Sequence, residues 1–355
     1  MKYNFYPGPA ILPREVIEEA ARAILDFNGM GLSLIEISHR SKEFIAVMDE
    51  AVALVKELMN ISDEYEVLFL SGGASSQFYM APMNLLNVTE KAAYTDTGTW
   101  AAKSIKDGKL FGNVDVIASS KDKNYSYIPK GYEIDPSYKY LHITSNNTIF
   151  GTQYAEFPVT SVPLVCDMSS DIFSRKIDIS KFDLIYAGAQ KNMGPAGTTL
   201  VIVKKSALGH VSRDIPAMAK YQNHIDAGSM YNTPPVFPVY VSMLTLRWIK
   251  KNGGIAGIQA KNEAKAAALY NEIDRNSLFY SPTNEEDRSK MNVCFLLQNT
   301  ELEKEFLANC KAAGCVGLEG HRSVGGFRAS IYNAMSMEGI ETLVNVMKAF
   351  EAEQG

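Results

Sequence analysis

The sequence lacks the features on which several common classes of protein depend. Its four cysteines form no CxxC pair, so we expect reduced thiols and neither a disulfide framework nor a zinc site. Its five histidines show no HExxH or other metal-ligand spacing, and we predict no bound metal. No GxGxxG and no GxxxxGK[ST] motif occurs, which argues against dinucleotide and P-loop nucleotide binding.

Charge and hydropathy exclude further classes. The net charge of −5 disfavours binding to nucleic acid or to an anionic membrane. No apolar run approaches the ~20 residues of a membrane-spanning helix. The opening stretch MKYNFYPGPAILP contains three prolines, so it is typical of neither a signal peptide nor a membrane anchor. We therefore predict a cytoplasmic protein with no membrane or nucleic-acid partner.

Short apolar runs alternate with helical patterns through the first 260 residues. The runs end in Gly, Ser, Thr or Asp and cover residues 67–70, 92–95, 114–118, 140–144, 162–166, 184–187 and 199–203. This alternation predicts an α/β domain with a mainly parallel sheet and helices on both faces. In such sheets ligands bind beyond the carboxyl ends of the strands. The residues that follow the runs are therefore the candidates for function.

The pattern changes near residue 262. A helical pattern at 262–275 precedes an apolar run at 292–297, a helix at 301–313, a second run at 325–332 and a last helix at 336–352. We predict a smaller α+β domain there, of roughly 95 residues. The predicted division is an N-terminal segment near the active site (1–15), a large domain (16–260) and a small C-terminal domain (261–355).

One lysine follows a predicted strand in the stretch IYAGAQKNMGPAG (185–197). Lys191 is either an ordinary surface lysine or an amine held where water is scarce. A desolvated lysine has a lowered pKa and becomes a nucleophile. Such an amine typically forms a Schiff base with an aldehyde, most often that of pyridoxal 5′-phosphate (PLP).

Other strand ends carry groups that PLP would need. The turn SGGASSQF (71–78) is either a plain turn or a nest of backbone N–H groups for a phosphate. Trp100 is either a core residue or an indole that stacks on a planar ring. Asp167 follows five apolar residues, and it either caps a helix or pairs with a protonated pyridine nitrogen.

Longer motifs extend this pattern over essentially the whole chain. They are GPAILP (8–13), SHRSKEF (38–44), TGTW (97–100), GAQKNMGPAG (188–197), YNTPPVFPVY (231–240) and EGHRSVGGFRASIYNA (319–334). With them the sequence resembles the phosphoserine aminotransferase family, class-V enzymes of PLP fold-type I. The resemblance implies a homodimer with shared active sites. It also implies reversible ping-pong amino transfer between glutamate and 3-phosphohydroxypyruvate. The implied pathway is serine biosynthesis. The resemblance also implies a second substrate, the phosphorylated four-carbon keto acid of pyridoxine biosynthesis.

The resemblance also implies roles for single residues around the cofactor. Lys191 would carry the Schiff base and shuttle protons, Asp167 would pair with the ring nitrogen, and Trp100 would stack on the ring. Thr148 would contact the ring near its 3-hydroxyl. The implied phosphate ligands are Ala74, Ser75 and Gln190, with Asn232 and Thr233 from the other subunit. Many members carry Arg and Gly where this chain has Ser75 and Ser76, so its phosphate turn has one fewer cation.

Two basic segments, SHR (38–40) and GHRSVGGFR (320–328), stand out in this acidic chain. They are either solvated surface charge or a site for a substrate with two anionic groups, because arginine forks match carboxylate and phosphate. The resemblance favours the second interpretation. We assign Arg328 to the substrate α-carboxylate. The distal anion is assigned to His39, Arg40, His321 and Arg322.

Two rival functions remain at this point. Another fold-type I aminotransferase, such as an alanine–glyoxylate enzyme, would have no use for Arg322 beside His321. A PLP-binding protein without turnover would keep Lys191 and Asp167 but would not need the substrate arginines.

Overall fold

The computed structural model describes residues 2–354. Its strands are β1 (Tyr3–Asn4), β2 (Tyr65–Leu70), β3 (Lys91–Asp96), β4 (Asn113–Ser119), β5 (Leu141–Thr144), β6 (Leu164–Asp167), β7 (Leu184–Gly188), β8 (Thr199–Lys204), β9 (Phe279–Tyr280), β10 (Asn292–Leu297), β11 (Cys315–Val316) and β12 (Phe327–Ser330). Its α-helices are α1 (Arg14–Leu25), α2 (Lys42–Met59), α3 (Gly73–Leu85), α4 (Thr99–Gly108), α5 (Tyr221–Asp226), α6 (Val236–Lys251), α7 (Gly254–Arg275), α8 (Glu303–Ala312) and α9 (Met337–Gln354).

The large sheet has seven strands in the order β2-β8-β7-β6-β5-β3-β4. The pairs from β7 through β6, β5 and β3 to β4 are parallel, whereas β8 runs antiparallel to both β2 and β7. The predicted α/β class with a mainly parallel sheet is confirmed. The pattern could not show that β8 reverses, because a buried apolar run looks the same in either direction.

Helices cover both faces of this sheet. Successive strand residues point to opposite faces, so Ile185 joins the core that α1, α2 and α6 cover, while Tyr186 joins the core that α3 and α4 cover. Both side chains are almost fully buried. With two layers of helices around it, the sheet leaves only its strand ends for a cavity.

A second core belongs to the C-terminal unit. The antiparallel sheet β12-β10-β9 packs with α7, α8 and α9 around an aromatic cluster in which Phe306 contacts Phe279, Phe327 and Phe350. The N-terminal segment reaches this unit, because β1 pairs with β11. The predicted boundary at residue 260 falls within α7, and the division into domains stays a prediction.

Helix α6 was not predicted. Its sequence, VFPVYVSMLTLRWIKK, is rich in β-branched residues, which lower helix propensity. Most of its length is buried between α1, α2 and α7, so no polar face interrupts the apolar pattern. Among residues 2–354, no helix has both the length and the apolar character that a membrane crossing requires.

Candidate active site

A cavity of about 310 Å³ lies beyond the carboxyl ends of the parallel strands. Its volume falls in the range of ligand pockets. Half of the residues that line it were predicted from the sequence: Ala74, Ser75, Trp100, Thr148, Asp167, Gln190, Lys191, His321 and Arg328. The rule that ligands bind beyond the carboxyl ends of the strands therefore predicted where this cavity lies.

A larger cavity, of about 880 Å³, lies at the opposite edge of the sheet. Lys91, Tyr140 and Asp183 line it, each at or just before the start of a strand. It contains none of the predicted site residues. Size alone would thus have selected the wrong edge.

The Lys191 side chain is buried, with 9% of its surface exposed. Its ammonium donates a hydrogen bond of 2.9 Å to Thr148 Oγ1. Burial lowers the pKa of Lys191 to about 8, although the negative charge of Asp167 acts in the opposite direction. The surface-lysine interpretation is therefore wrong, since this amine is desolvated and partly neutral near physiological pH.

Asp167 ends strand β6 inside the same cavity. Its Oδ1 accepts a hydrogen bond of 2.9 Å from the backbone N–H of Ser169, and burial raises its pKa. No basic side chain forms a salt bridge with it in the part of the chain that the structure describes. A buried carboxylate of this kind needs a positive partner, and a protonated pyridine nitrogen would supply one.

The turn before α3 presents backbone N–H groups to the cavity. Gly72 and Gly73 have φ values of 105° and 69°, which favour glycine. A Cβ atom on Gly72 would lie 2.6 Å from Ser76 Oγ. No side chain caps the first turn of α3, so its N–H groups are available to an anion.

Trp100 lines the cavity from the second residue of α4. Its Nε1 is buried and has no hydrogen-bond partner among the described residues. The preceding turn is tightly held, because Asn147 Nδ2 donates to Thr97 O at 2.5 Å. The indole is thus half-buried, fixed at its base and in contact with the cavity.

Two basic residues of the C-terminal unit complete the lining. Arg328 is buried with 7% exposure and donates to Thr148 O at 3.3 Å. Within residues 2–354 it forms no salt bridge, and its Nε has no partner. Burial lowers the pKa of Arg328 and also that of His321, which neighbouring positive charges lower further. An anionic ligand would relieve both effects.

Some predicted residues lie outside this cavity. The cavity of the same chain is not lined by His39, Arg40, Arg322, Asn232 or Thr233. His39 and Arg40 lie in the turn before α2, where Arg40 Nε is 3.4 Å from His39 Nε2.

The lining also includes residues that were not named individually as site residues. Gly73 and Phe78 lie in the predicted turn 71–78, and Pro7 and Gly8 lie in the segment predicted near the active site, whereas Thr144, Asn146, Ile149, Ser169 and Ser170 were missed. Thr144 and Asn146, like Ser169 and Ser170, end or follow predicted strands, so the strand-end rule contained the signal for them. Pro7 and Gly8 could not be found in that way, because they belong to an irregular segment. That segment is held in place by a hydrogen bond of 2.9 Å from Ala10 N to Gln190 O.

The donor set fits PLP. A desolvated amine suits an aldehyde, an unpaired buried carboxylate suits a pyridinium, and a glycine turn at a helix N-terminus suits a phosphate. These groups line one cavity and come from the ends of β7, β6 and β2.

The comparisons with known proteins agree with this chemistry. The family model for class-V aminotransferases matches residues 2–343. The phosphoserine aminotransferase of Flavobacterium johnsoniae is 63% identical over 353 residues, covering 99% of each chain. The chain belongs to the class-V aminotransferases, in the phosphoserine aminotransferase family.

Solved structures of that family share the fold. The PLP-bound phosphoserine aminotransferase from Trichomonas vaginalis is 34% identical, with a TM-score of 0.93 over 98% of this chain and 100% of that one. Another family member, studied for radiation damage of its Schiff base, is 45% identical, with a TM-score of 0.96 over 99% of both chains.

The lowered pKa of Lys191 gives a test on the cofactor-free protein. Acetic anhydride reacts with neutral amines, so acetylation of Lys191 should rise with pH around a midpoint of about 8, well below the ~10.4 of an unperturbed lysine. Because the Asp167 charge raises that pKa, Asp167→Asn should move the midpoint lower. Mass spectrometry of the Lys191 peptide measures both, with the peptide of exposed Lys106 as internal reference. A midpoint above about pH 9.5, nearer the unperturbed lysine value, would contradict the assignment.

Proposed function

We propose that this chain is a PLP-dependent phosphoserine aminotransferase. It moves an amino group reversibly from glutamate to 3-phosphohydroxypyruvate and yields O-phosphoserine and 2-oxoglutarate. One observation carries the proposal: the Lys191 amine, the Asp167 carboxylate and the Arg328 guanidinium line a single cavity, and each lacks an ionic partner among residues 2–354. The full-length relatives named above support the same activity.

The cofactor supplies an electrophilic aldehyde and a ring that accepts electrons. Lys191 is the residue that would hold the aldehyde, and Asp167 would pair with a positively charged ring nitrogen. Trp100 would cover the ring, and Thr148 would contact it near the 3-hydroxyl. Ala74, Ser75 and Gln190, together with the N–H groups of the turn before α3, would hold the phosphate.

Lys191 would also remove and return the proton at the substrate α-carbon. A general acid–base group works best when its pKa lies near the operating pH. The pKa of about 8 lets Lys191 accept and release a proton under physiological conditions. Its hydrogen bond to Thr148 keeps the amine pointed into the cavity.

Arg328 binds the α-carboxylate that every amino-acid substrate carries. Its burial makes this contact strong, because a charge pair removed from water is weakly screened. His321 and Arg322 bind the distal anion, which is a carboxylate in glutamate and a phosphate in phosphoserine. The phosphorylated four-carbon keto acid has the same two anionic ends, so we propose it as a second substrate.

We further propose that the active unit is a homodimer. His39, Arg40, Asn232 and Thr233 do not line the cavity of their own chain, and the last three are exposed in it. In a two-fold dimer such residues reach the partner's site. There Asn232 and Thr233 would contact the cofactor phosphate, and His39 and Arg40 the distal anion.

The activity is tested directly with purified holoenzyme. With glutamate as donor, turnover of 3-phosphohydroxypyruvate should far exceed that of pyruvate or glyoxylate, because only the phosphorylated acceptor carries a distal dianion. Lys191→Ala should abolish turnover, and borohydride should fix PLP to the Lys191 peptide in the wild type. A preference for glyoxylate would support an alanine–glyoxylate enzyme, and bound PLP without turnover would support the non-catalytic alternative.

The two arginines should differ in their effect on specificity. Removing one partner of a buried ion pair costs about 2–5 kcal/mol, or roughly 30-fold to several thousand-fold. Arg328→Leu should therefore lower kcat/KM for phosphoserine, glutamate and alanine alike by that factor. Arg322 is exposed, so Arg322→Leu should cost at most about fivefold, and only for the two substrates with a distal anion. An equal loss with alanine would refute the assignment of Arg322.

Complementation tests the shared sites. A chain carrying Lys191→Ala is mixed with a chain carrying Asn232→Ala and Thr233→Ala, and the heterodimer is purified with two affinity tags. One site of the heterodimer then receives both defects and the other receives none, so about half of the wild-type activity should return. Recovery no greater than that of the parent homodimers would mean that this loop does not serve the partner's site.

A further inference from the structure

Lys103 is a basic residue beside the cavity that the motifs did not indicate. It lies on α4, three residues after Trp100, so both side chains share one face of the helix. Its ammonium sits over the Trp100 indole at 4.5 Å from the ring centroid, within the range of a cation–π contact. An exposed lysine is thereby held against a residue that lines the cavity.

Lys103 belongs to a cluster of positive charge. The pKa of His321 is lowered mainly by burial, and the charges that lower it further are those of Arg328, Arg322 and Lys103. Lys103 is therefore electrostatically close to a histidine that lines the cavity.

No carboxylate neutralises this cluster among residues 2–354. The lysines that form salt bridges there are Lys56, Lys130, Lys139, Lys205, Lys250, Lys251 and Lys290. The acids nearest in sequence are Asp107, four residues after Lys103 on α4, and Glu319, three residues before Arg322. Neither forms a salt bridge with Lys103, Arg322 or Arg328 among the described residues. Like charges without a counter-charge repel each other, and their convergence on one cleft is typical of anion binding.

The phosphate turn supplies no cation of its own. Residues 71–76 read SGGASS, so this turn can offer only N–H and hydroxyl groups to an anion. Lys103 is the lysine that α4 brings to Trp100.

We propose that Lys103 binds the distal anion of the substrate, together with His321 and Arg322. This inference rests on the proposed function and assigns it a further specificity residue. The indole holds the flexible side chain beforehand, which reduces the entropy lost when an anion binds. An ammonium has three N–H donors, so Lys103 can meet a phosphate or a carboxylate while it stays on the ring.

Kinetics of the holoenzyme give the first test. Lys103→Met keeps the length of the side chain and removes its charge, Lys103→Arg keeps the charge, and Lys106→Met removes an equal charge three residues further along α4. The ratio of kcat/KM for phosphoserine to that for alanine should fall about fivefold in Lys103→Met, the upper end for an exposed charged contact. The ratio should fall much less in Lys103→Arg and stay unchanged in Lys106→Met.

Tryptophan fluorescence gives a second readout that needs no turnover. The chain has two tryptophans, so in a Trp248→Phe background the emission reports on Trp100 alone. Titration of this holoenzyme with inorganic phosphate should produce a saturable change in the emission of Trp100. The reason is that the anion pairs with the Lys103 ammonium and so changes the charge over the indole. The change should be lost when Lys103→Met is added and retained when Lys106→Met is added.

The outcomes separate the two proposals. Suppose that the wild-type enzyme turns over phosphoserine but that Lys103→Met and Lys106→Met have the same ratio of kcat/KM for phosphoserine to kcat/KM for alanine. Lys103 then does not bind the distal anion. A phosphate response of Trp100 that survives Lys103→Met overturns the inference independently. If the wild type does not act on phosphoserine at all, the proposed function fails, and the fluorescence titration still decides whether Lys103 binds an anion.

Discussion

The burial of the Lys191 amine and the Asp167 carboxylate at one edge of a parallel sheet is the constraint on which the rest of the site depends. Burial acts on both in the same sense, because it disfavours their charged forms and moves the pKa of each toward neutrality. Each charge partly offsets this effect in the other. Burying Lys191 and Asp167 lowers the stability of the folded protein. A bound group with an aldehyde and a cationic ring would pair with both of them.

Holding such a pair requires rigid surroundings, and a buried polar network provides them. Asn192, next to Lys191, accepts a hydrogen bond of 3.0 Å from Asn333 N. Lys265 donates to Tyr332 O at 2.6 Å, and the Tyr332 hydroxyl donates to Pro7 O at 2.7 Å. One network therefore joins the loop that carries Lys191, the N-terminal segment and the residues that follow β12. A shift in one of them would break hydrogen bonds in the others.

The sequence predicted correctly those features that depend on residues close together along the chain. Lys191 and Asp167 follow apolar strands, so the general rule for ligands in α/β sheets was enough to find their cavity. The direction of β8 and the presence of α6 depend on packing partners distant in sequence, which no local pattern records. Arg40 matches its motif but does not line the cavity of its own chain, because a motif fixes the identity of a residue and not its position in the folded protein. Lys103 belongs to no motif and is recognised only by its position over Trp100.

In the proposed function, the basic residues would divide the task of recognising two different substrates. Arg328 is buried and would meet the α-carboxylate, whose position is the same in glutamate and phosphoserine, so a rigid and weakly hydrated contact suits it. The distal group differs between these substrates in size, geometry and charge. Arg322 and Lys103 are exposed, and their long side chains can adjust to a planar carboxylate or a tetrahedral phosphate. In this proposal, the exposure of these cations, which weakens each single contact, would allow one pocket to accept both distal groups.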